Sequence, residues 1–314
     1  MNVTLKQFQL FEAVIRLGNI TRAAEEAHLS QPAVSIQIKR FEEAIGHALI
    51  ENTGRPVQPT EAGRIVLSRG RAILREMASL EADLDSMKGL KTGQLRISAV
   101  TTVNYFVPPL LRSFCDRFPG IKVVLDVANR KEMLRQLTEN EVDLGIMGQP
   151  PEDLALDATP FLDNPLIIVA PGNHPLARRR TPIPLSRLAE EPFLMREPGS
   201  GTRHVMERVF DERGIKVKTS VEVSGAAALN QSVQAGLGMA LMSRDAVEMP
   251  LQLGRLVELN VEDFPIVRQW YLVHRVGKKL SAPAEAFKAF ILENAAEILH
   301  RERALAKAAV LAAS

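Results

Sequence analysis

The sequence predicts three successive parts: a small all-α segment at residues 1–58, one long helix over 59–90, and an α/β region over 93–314 arranged as two lobes. Three observations predict it. Apolar residues recur at helical spacing in the first part, with no strand-like alternation. A proline-free stretch after Thr60 carries an apolar heptad. From "GLKTGQLRISAV" onward, strand-like runs alternate with helical ones. The chain has 314 residues, 46% of them hydrophobic, which suits several domains with real cores.

In the first part Leu5, Phe8, Phe11 and Val14 or Ile15 share one helical face, and "LGNITRAAEEAHL" supplies a Gly-Asn turn and a short helix from about Thr21 to Ala27. Ser30 suits an N-cap and Pro32 the first turn of a third helix, where a missing N–H costs nothing. Val34, Ile38, Phe41 and Ile45 form the apolar stripe of that helix. Pro32, Ser35, Ile36, Lys39, Arg40 and Glu43 lie opposite, with Gln31 leading.

A helix, a tight turn and a second helix with a polar outer face make a helix-turn-helix pattern. The bland alternative is a small bundle with a solvated face. Ile36 argues against it, because an outward isoleucine gains nothing in water but can meet a thymine methyl. "IENTGRPVQPTEAG" then suits a wing on the DNA backbone or in the minor groove. Charge alone is weak support: residues 1–75 hold 10 Lys/Arg against 7 Asp/Glu, and residues 1–88 hold 11 against 11. A DNA-directed field must come from placement, through Lys39, Arg40, Arg55, Arg64, Arg69 and Arg71.

In the long helix Val66, Ile73, Met77, Leu80, Leu84 and Met87 fall on a and d positions, with Gly70 at the one vacant place. Such a seam pairs two chains, or alternatively lies on its own domain; strict spacing and charged flanks favour pairing.

In the third part "QLRISAV" runs into Thr101-Thr102, "IKVVLDV" into Asn129-Arg130, and "VDLGIM" into Gly148-Gln149-Pro150-Pro151. A second series includes "PFLM" before "REPGSGTR", then "TSVEV" and "GMALMS". Repeated βα units predict doubly wound parallel sheets. Extended crossings near "PLIIVAP" and "VRQWYLVH" divide lobe I, about 93–164 and 268–300, from lobe II, about 165–267.

Enzyme chemistry finds little support. "EPGSGT" has Pro198 where a nucleophile elbow needs its first glycine, and no Gly-Lys-Ser/Thr of a P-loop follows. The six histidines show no metal-ligand spacing. The single cysteine, Cys115, permits no internal disulfide, and the N-terminus lacks signal-peptide order, so a cytoplasmic location and no membrane association are expected. A plain solute-binding protein explains two lobes but not the first 90 residues.

"LKQFQLFEAVIRLGNITRAAEEAHLSQPAVSIQIKRFEEAIG", "PTEAGRIVL", "VDLGIM" and "AGLGMALMS" resemble LysR-type transcriptional regulators over nearly the whole chain. The resemblance implies a winged helix-turn-helix, a dimerising linker helix, and tetramers on interrupted palindromic double-stranded operators. It further implies a periplasmic-binding-protein-like effector domain with a small-molecule inducer in its cleft, no cofactor, and altered access for RNA polymerase. "NYFVPPLL", "ANRKEMLRQLTENEVDLGIMGQPP" and "REPGSGTR" most resemble the CbbR branch, which regulates Calvin-cycle operons. A diverged paralogue controlling another operon is the alternative. Where that branch usually reads Ser-Asn-Glu-Thr-Ile-Lys, this chain has Gly225 to Asn230, a turn expected to face the cleft.

The expected DNA contacts are Gln31, Ser35 and Ile36 at base edges and Lys39, Arg40 and Arg55 on phosphates, with Pro32 shaping the helix entry. The expected effector residues are Thr101, Thr102, Asn129, Arg130, Gln149, Arg196, Ser200, Thr202 and Arg203. Hydroxyls and arginines at helix starts suit a small anionic metabolite.

Overall fold

The computed structural model describes residues 2–51, 56–86, 92–179 and 181–313. They form two compact units, divided near residue 84.

The first unit opens with helix α1 (Leu5–Leu17), which Thr4 and Gln7 start as a reciprocal capping box. The Gly-Asn pair does two jobs. Gly18, at φ 60°, closes α1 in the left-handed conformation, and Asn19 caps α2 (Ile20–Glu26) by accepting from the Thr21 and Arg22 amides. That cap starts α2 one residue earlier than the spacing suggests. Ser30 caps α3 (Gln31–Ile45) with Pro32 in its first turn, and Gly46 ends it. Val34, Ile38 and Phe41 are buried, and Phe41 meets the rings of Phe8 at 5.0 Å and Phe11 at 5.9 Å.

Beyond α3 the Glu42 carboxylate accepts from the Leu49 and Ile50 amides, which aims the chain into a short antiparallel pairing of Ile50 with Pro59. The tip between those arms, with Arg55, lies outside the described residues, as does Met87. Thr60 then starts α4 (Glu61–Ser86) by accepting from the Gly63 amide. Gly70 sits where α4 crosses Phe8: a Cβ there would lie 2.5 Å from the ring. The vacant heptad position is therefore a close approach, and Val66, Leu67 and Leu74 pack on the same small core. Ile73, Met77 and Leu80 are instead exposed, at 42%, 39% and 52%.

The second unit holds β1 (Gly93–Val100), α5 (Val107–Arg117), β2 (Ile121–Ala128), α6 (Arg130–Thr138), β3 (Leu144–Met147) and β4 (Leu156–Pro171). There follow α7 (Leu185–Leu188), β5 (Pro192–Arg196), α8 (Gly201–Asp211), β6 (Lys218–Val223), α9 (Ala226–Gln234) and β7 (Ala240–Ser243). The chain ends with α10 (Glu248–Gln252), β8 (Leu256–Glu258), β9 (Ile266–Arg275) and α11 (Ala282–Ala313).

The parallel βα units form as expected, but each sheet is completed by antiparallel strands. Lobe I runs β2-β1-β3 in parallel and then β9 antiparallel. Lobe II repeats the pattern: β5 pairs β6 in parallel, Phe193 bridges Met239 beside β7, and β4 is antiparallel to β7. The departure has a simple cause. The chain crosses out of lobe I along β4 and returns along β9, so the two crossings run in opposite senses and pair from Leu156–Arg275 to Leu166–Ile266. Apolar cores lie on both faces of each sheet, around Phe114 and Phe287 or Met133 and Val273 in lobe I, and around Phe193 and Phe210 or Leu229 and Met242 in lobe II.

Candidate effector cleft and DNA-binding face

Between the lobes lies a cleft of about 670 Å³, a size that suits a small molecule. Its walls are strand ends and helix starts, where backbone N–H groups lack helical partners. All nine expected effector residues, Thr101, Thr102, Asn129, Arg130, Gln149, Arg196, Ser200, Thr202 and Arg203, line it. They do so in different conditions.

Ser200 occupies the N-cap position of α8, yet its hydroxyl makes no bond to the first turn. A purely capping role for this buried side chain therefore fails. Asn129 is the opposite case, since its Oδ1 caps α6 through the Glu132 amide at 2.9 Å. Arg196 is held by Glu197 at 2.7 Å, and Arg203 by Glu207 at 2.7 Å and Glu222 at 2.6 Å. Burial pushes the Glu197 carboxyl upward, but the hydrogen bonds and charge of Arg196, with the Gly225 amide, more than offset this and leave it below the usual range.

Arg130 is different. Its guanidinium donates to the Gln149 carbonyl at 2.7 Å and, among the described residues, forms no ion pair. From lobe I it reaches the start of α8 in lobe II: a Cβ on Gly201 would lie 3.7 Å from its Nη1. Burial lowers its pKa, with Asp153 acting against that.

The cleft floor escaped sequence reasoning. Asn164 of β4 and Arg268 of β9 pair directly across the two crossing strands, and both line the cleft, as do Leu166 and Trp270 two residues along. Arg268 also lacks an ion pair among the described residues, and burial followed by repulsion from Arg208 and Arg130 lowers its pKa. The Asn164 side chain is buried, and its Oδ1 has no hydrogen-bond partner. Period-two spacing in "VRQWYLVH" puts Arg268 and Trp270 on one face, a signal that could have found them. The turn from Gly225 to Asn230 lies elsewhere than expected. It does not line this cleft; Ala226 and Leu229 stand behind Thr102 and Arg196, and the Asn230 amide donates to the Ala246 carbonyl.

In the first unit α3 presents the expected face. Gln31, Pro32, Lys39 and Arg40 are exposed, Ile36 is 52% exposed, and Ser35 is half-buried at the same end. Lys39 and Arg40 form no ion pair among the described residues, whereas Arg71 is engaged by Glu12 at 3.1 Å.

The model of the bacterial regulatory helix-turn-helix protein, lysR family, matches residues 5–64, and that of the LysR substrate binding domain matches residues 88–296. The chain belongs to the LysR family. It is a DNA-binding transcriptional regulator of that family, whose members act as regulators and not as enzymes. The "RuBisCO operon transcriptional regulator" of Allochromatium vinosum is 49% identical over 95% of this chain and 98% of its own length. The regulator CbbR of Rhodospirillum rubrum is 43% identical over 91% and 95%. Among solved structures, the Synechocystis CcmR regulatory domain in complex with 2-PG is 36% identical, with a TM-score of 0.62 over 64% of this chain and 97% of that one. The resemblance to the CbbR branch thus holds. No helix among the described residues is long and apolar enough to cross a membrane.

Proposed function

We propose that this LysR-type regulator controls a carbon-fixation operon in response to a small anionic metabolite bound between its lobes. The observation that carries the reading is the pair of half-buried cations, Arg130 and Arg268, at a cleft that also holds the start of α8. Two half-buried guanidiniums that repel each other, and that form no ion pair among the described residues, are stabilised by an anion. Thr101, Thr102, Ser200 and Thr202 add hydroxyls, and Asn164 adds an amide. Arg196 and Arg203, whose charges are already paired, serve as walls. The 2-PG bound to the related CcmR domain supports this chemistry, and the RuBisCO-operon relatives support the regulon.

In the same reading residues 1–58 bind DNA, residues 59–90 pair two chains, and residues 93–314 sense the effector. Gln31, Ser35 and Ile36 meet base edges, Lys39, Arg40 and Arg55 meet phosphates, and Pro32 sets the angle of entry. Ile73, Met77 and Leu80 supply the seam of a dimer, and two dimers form the tetramer that spans an interrupted palindrome. Anion binding shifts the balance between two lobe arrangements by its differential affinity for them, and so changes the operator spacing seen by RNA polymerase.

The test is calorimetric titration of the purified protein with 2-PG and with inorganic phosphate, beside gel shifts on DNA upstream of carbon-fixation genes. Saturable anion binding and retention of that DNA over a scrambled duplex are expected. Failure of the first removes the effector, and failure of the second removes the regulon.

A further inference from the structure

The LysR substrate binding domain match ends at residue 296, but α11 runs on to Ala313 through an alanine-rich tail. Arg303 on that tail is engaged in a specific way. It pairs with Asp245, and its Nε lies 3.3 Å from Glu248. Asp245 belongs to the turn Arg244–Ala246 that follows β7 in lobe II, and its side chain is only 3% exposed. The helix bearing Arg303 is anchored in the lobe I core through Phe287, Phe290 and Ile298. Arg303, paired with two carboxylates of lobe II, therefore ties the lobes.

The second oxygen of Asp245 accepts from Trp270 Nε1 at 3.1 Å. Trp270, the only tryptophan of the chain, lies on the crossing strand β9 and lines the cleft. Its ring packs on Phe106 at 5.0 Å, just beyond the turn carrying Thr101 and Thr102. A continuous path of contacts runs from the tail through Asp245 to the effector wall. Burial pushes the Asp245 carboxyl upward, so this buried charge depends on its partners.

We propose that the C-terminal tail is a latch: Arg303 fixes Asp245, Asp245 fixes Trp270, and the tail thereby holds the lobes and the cleft wall ready for effector. Arg303 is a positioning residue, since it does not line the cleft and acts through Asp245 and Trp270. The regulatory role rests on the effector reading above; the positioning role does not.

Trp270 reports on both. In full-length Arg303→Met without ligand, its emission shifts to the red and acrylamide quenches it more readily; Arg303→Lys, which keeps one charge contact, lies between that variant and the parent. In titrations with inorganic phosphate, Arg303→Met binds about three- to tenfold more weakly, because a wall no longer pre-ordered must be ordered on binding. Unchanged emission, quenching and affinity in Arg303→Met would overturn the latch. If phosphate fails to bind even the parent protein, the cleft reading is what fails, and the latch is decided on emission and quenching of the free proteins.

Discussion

Replacing Arg268 with glutamine separates function from stability. In the free protein Arg268 is half-buried, lacks a carboxylate partner among the described residues, and is repelled by Arg130 and Arg208. Removing its charge relieves that repulsion, so the melting temperature of the ligand-free variant stays level or rises. In the complex the same guanidinium supplies a hydrogen bond to a charged group, worth roughly 1.5–3 kcal/mol. Its loss weakens anion binding about ten- to 150-fold at 25 °C. The assay is a pair of measurements on one preparation: thermal unfolding without ligand, and calorimetric titration with inorganic phosphate. A drop in both quantities would mean that Arg268 is structural; unchanged affinity would remove it from the site.

Three further outcomes are expected. Leu80→Glu removes about 1.5–3 kcal/mol of burial per chain and sets two carboxylates together, so dimer dissociation strengthens at least about a hundredfold by analytical ultracentrifugation; an unchanged dimer would place the seam elsewhere. Lys39→Ala and Arg40→Ala each lower the salt dependence of DNA binding by about one unit of slope on any sequence, whereas Ser35→Ala alters sequence preference more than non-specific affinity; the reversed pattern refutes the assignment. Asp245 has a raised pKa, so the shift favours the fold only at acid pH, and that contribution is lost as pH rises through its folded value. Asp245→Asn, which still accepts from Trp270, therefore melts at or above the parent temperature at pH 7, and the difference closes toward pH 4; a deficit that grows with pH would contradict this.

How much was legible in the sequence depends on how local each signal is. The three N-terminal helices follow from spacing and caps at Thr4, Asn19 and Ser30, all within a few residues of what they stabilise. The nine expected effector residues line the cleft because they sit at or next to strand ends, most of them where a strand gives way to a helix, and such turns are readable one by one. Their charge states were not readable. Glu222, which holds Arg203, lies 19 residues away. Asn164 and Arg268 become neighbours only when two distant crossings pair antiparallel, and the reading of parallel sheets hid that pairing. The heptad was visible, but not that Gly70 is empty to admit Phe8. The turn at Gly225 was expected at the cleft from the family resemblance; Arg196, which Glu197 holds, lines the cleft instead.

The central claim is that an anion between the lobes changes how paired helix-turn-helix units grip an operator. Footprinting of the full-length protein on DNA upstream of carbon-fixation genes, with and without the anion that binds it most tightly, tests this directly. A footprint whose length or pattern of enhanced cleavage shifts with anion, and does so at much higher concentration in Arg268→Gln, is the predicted result. An identical footprint at anion concentrations that saturate the cleft would contradict it.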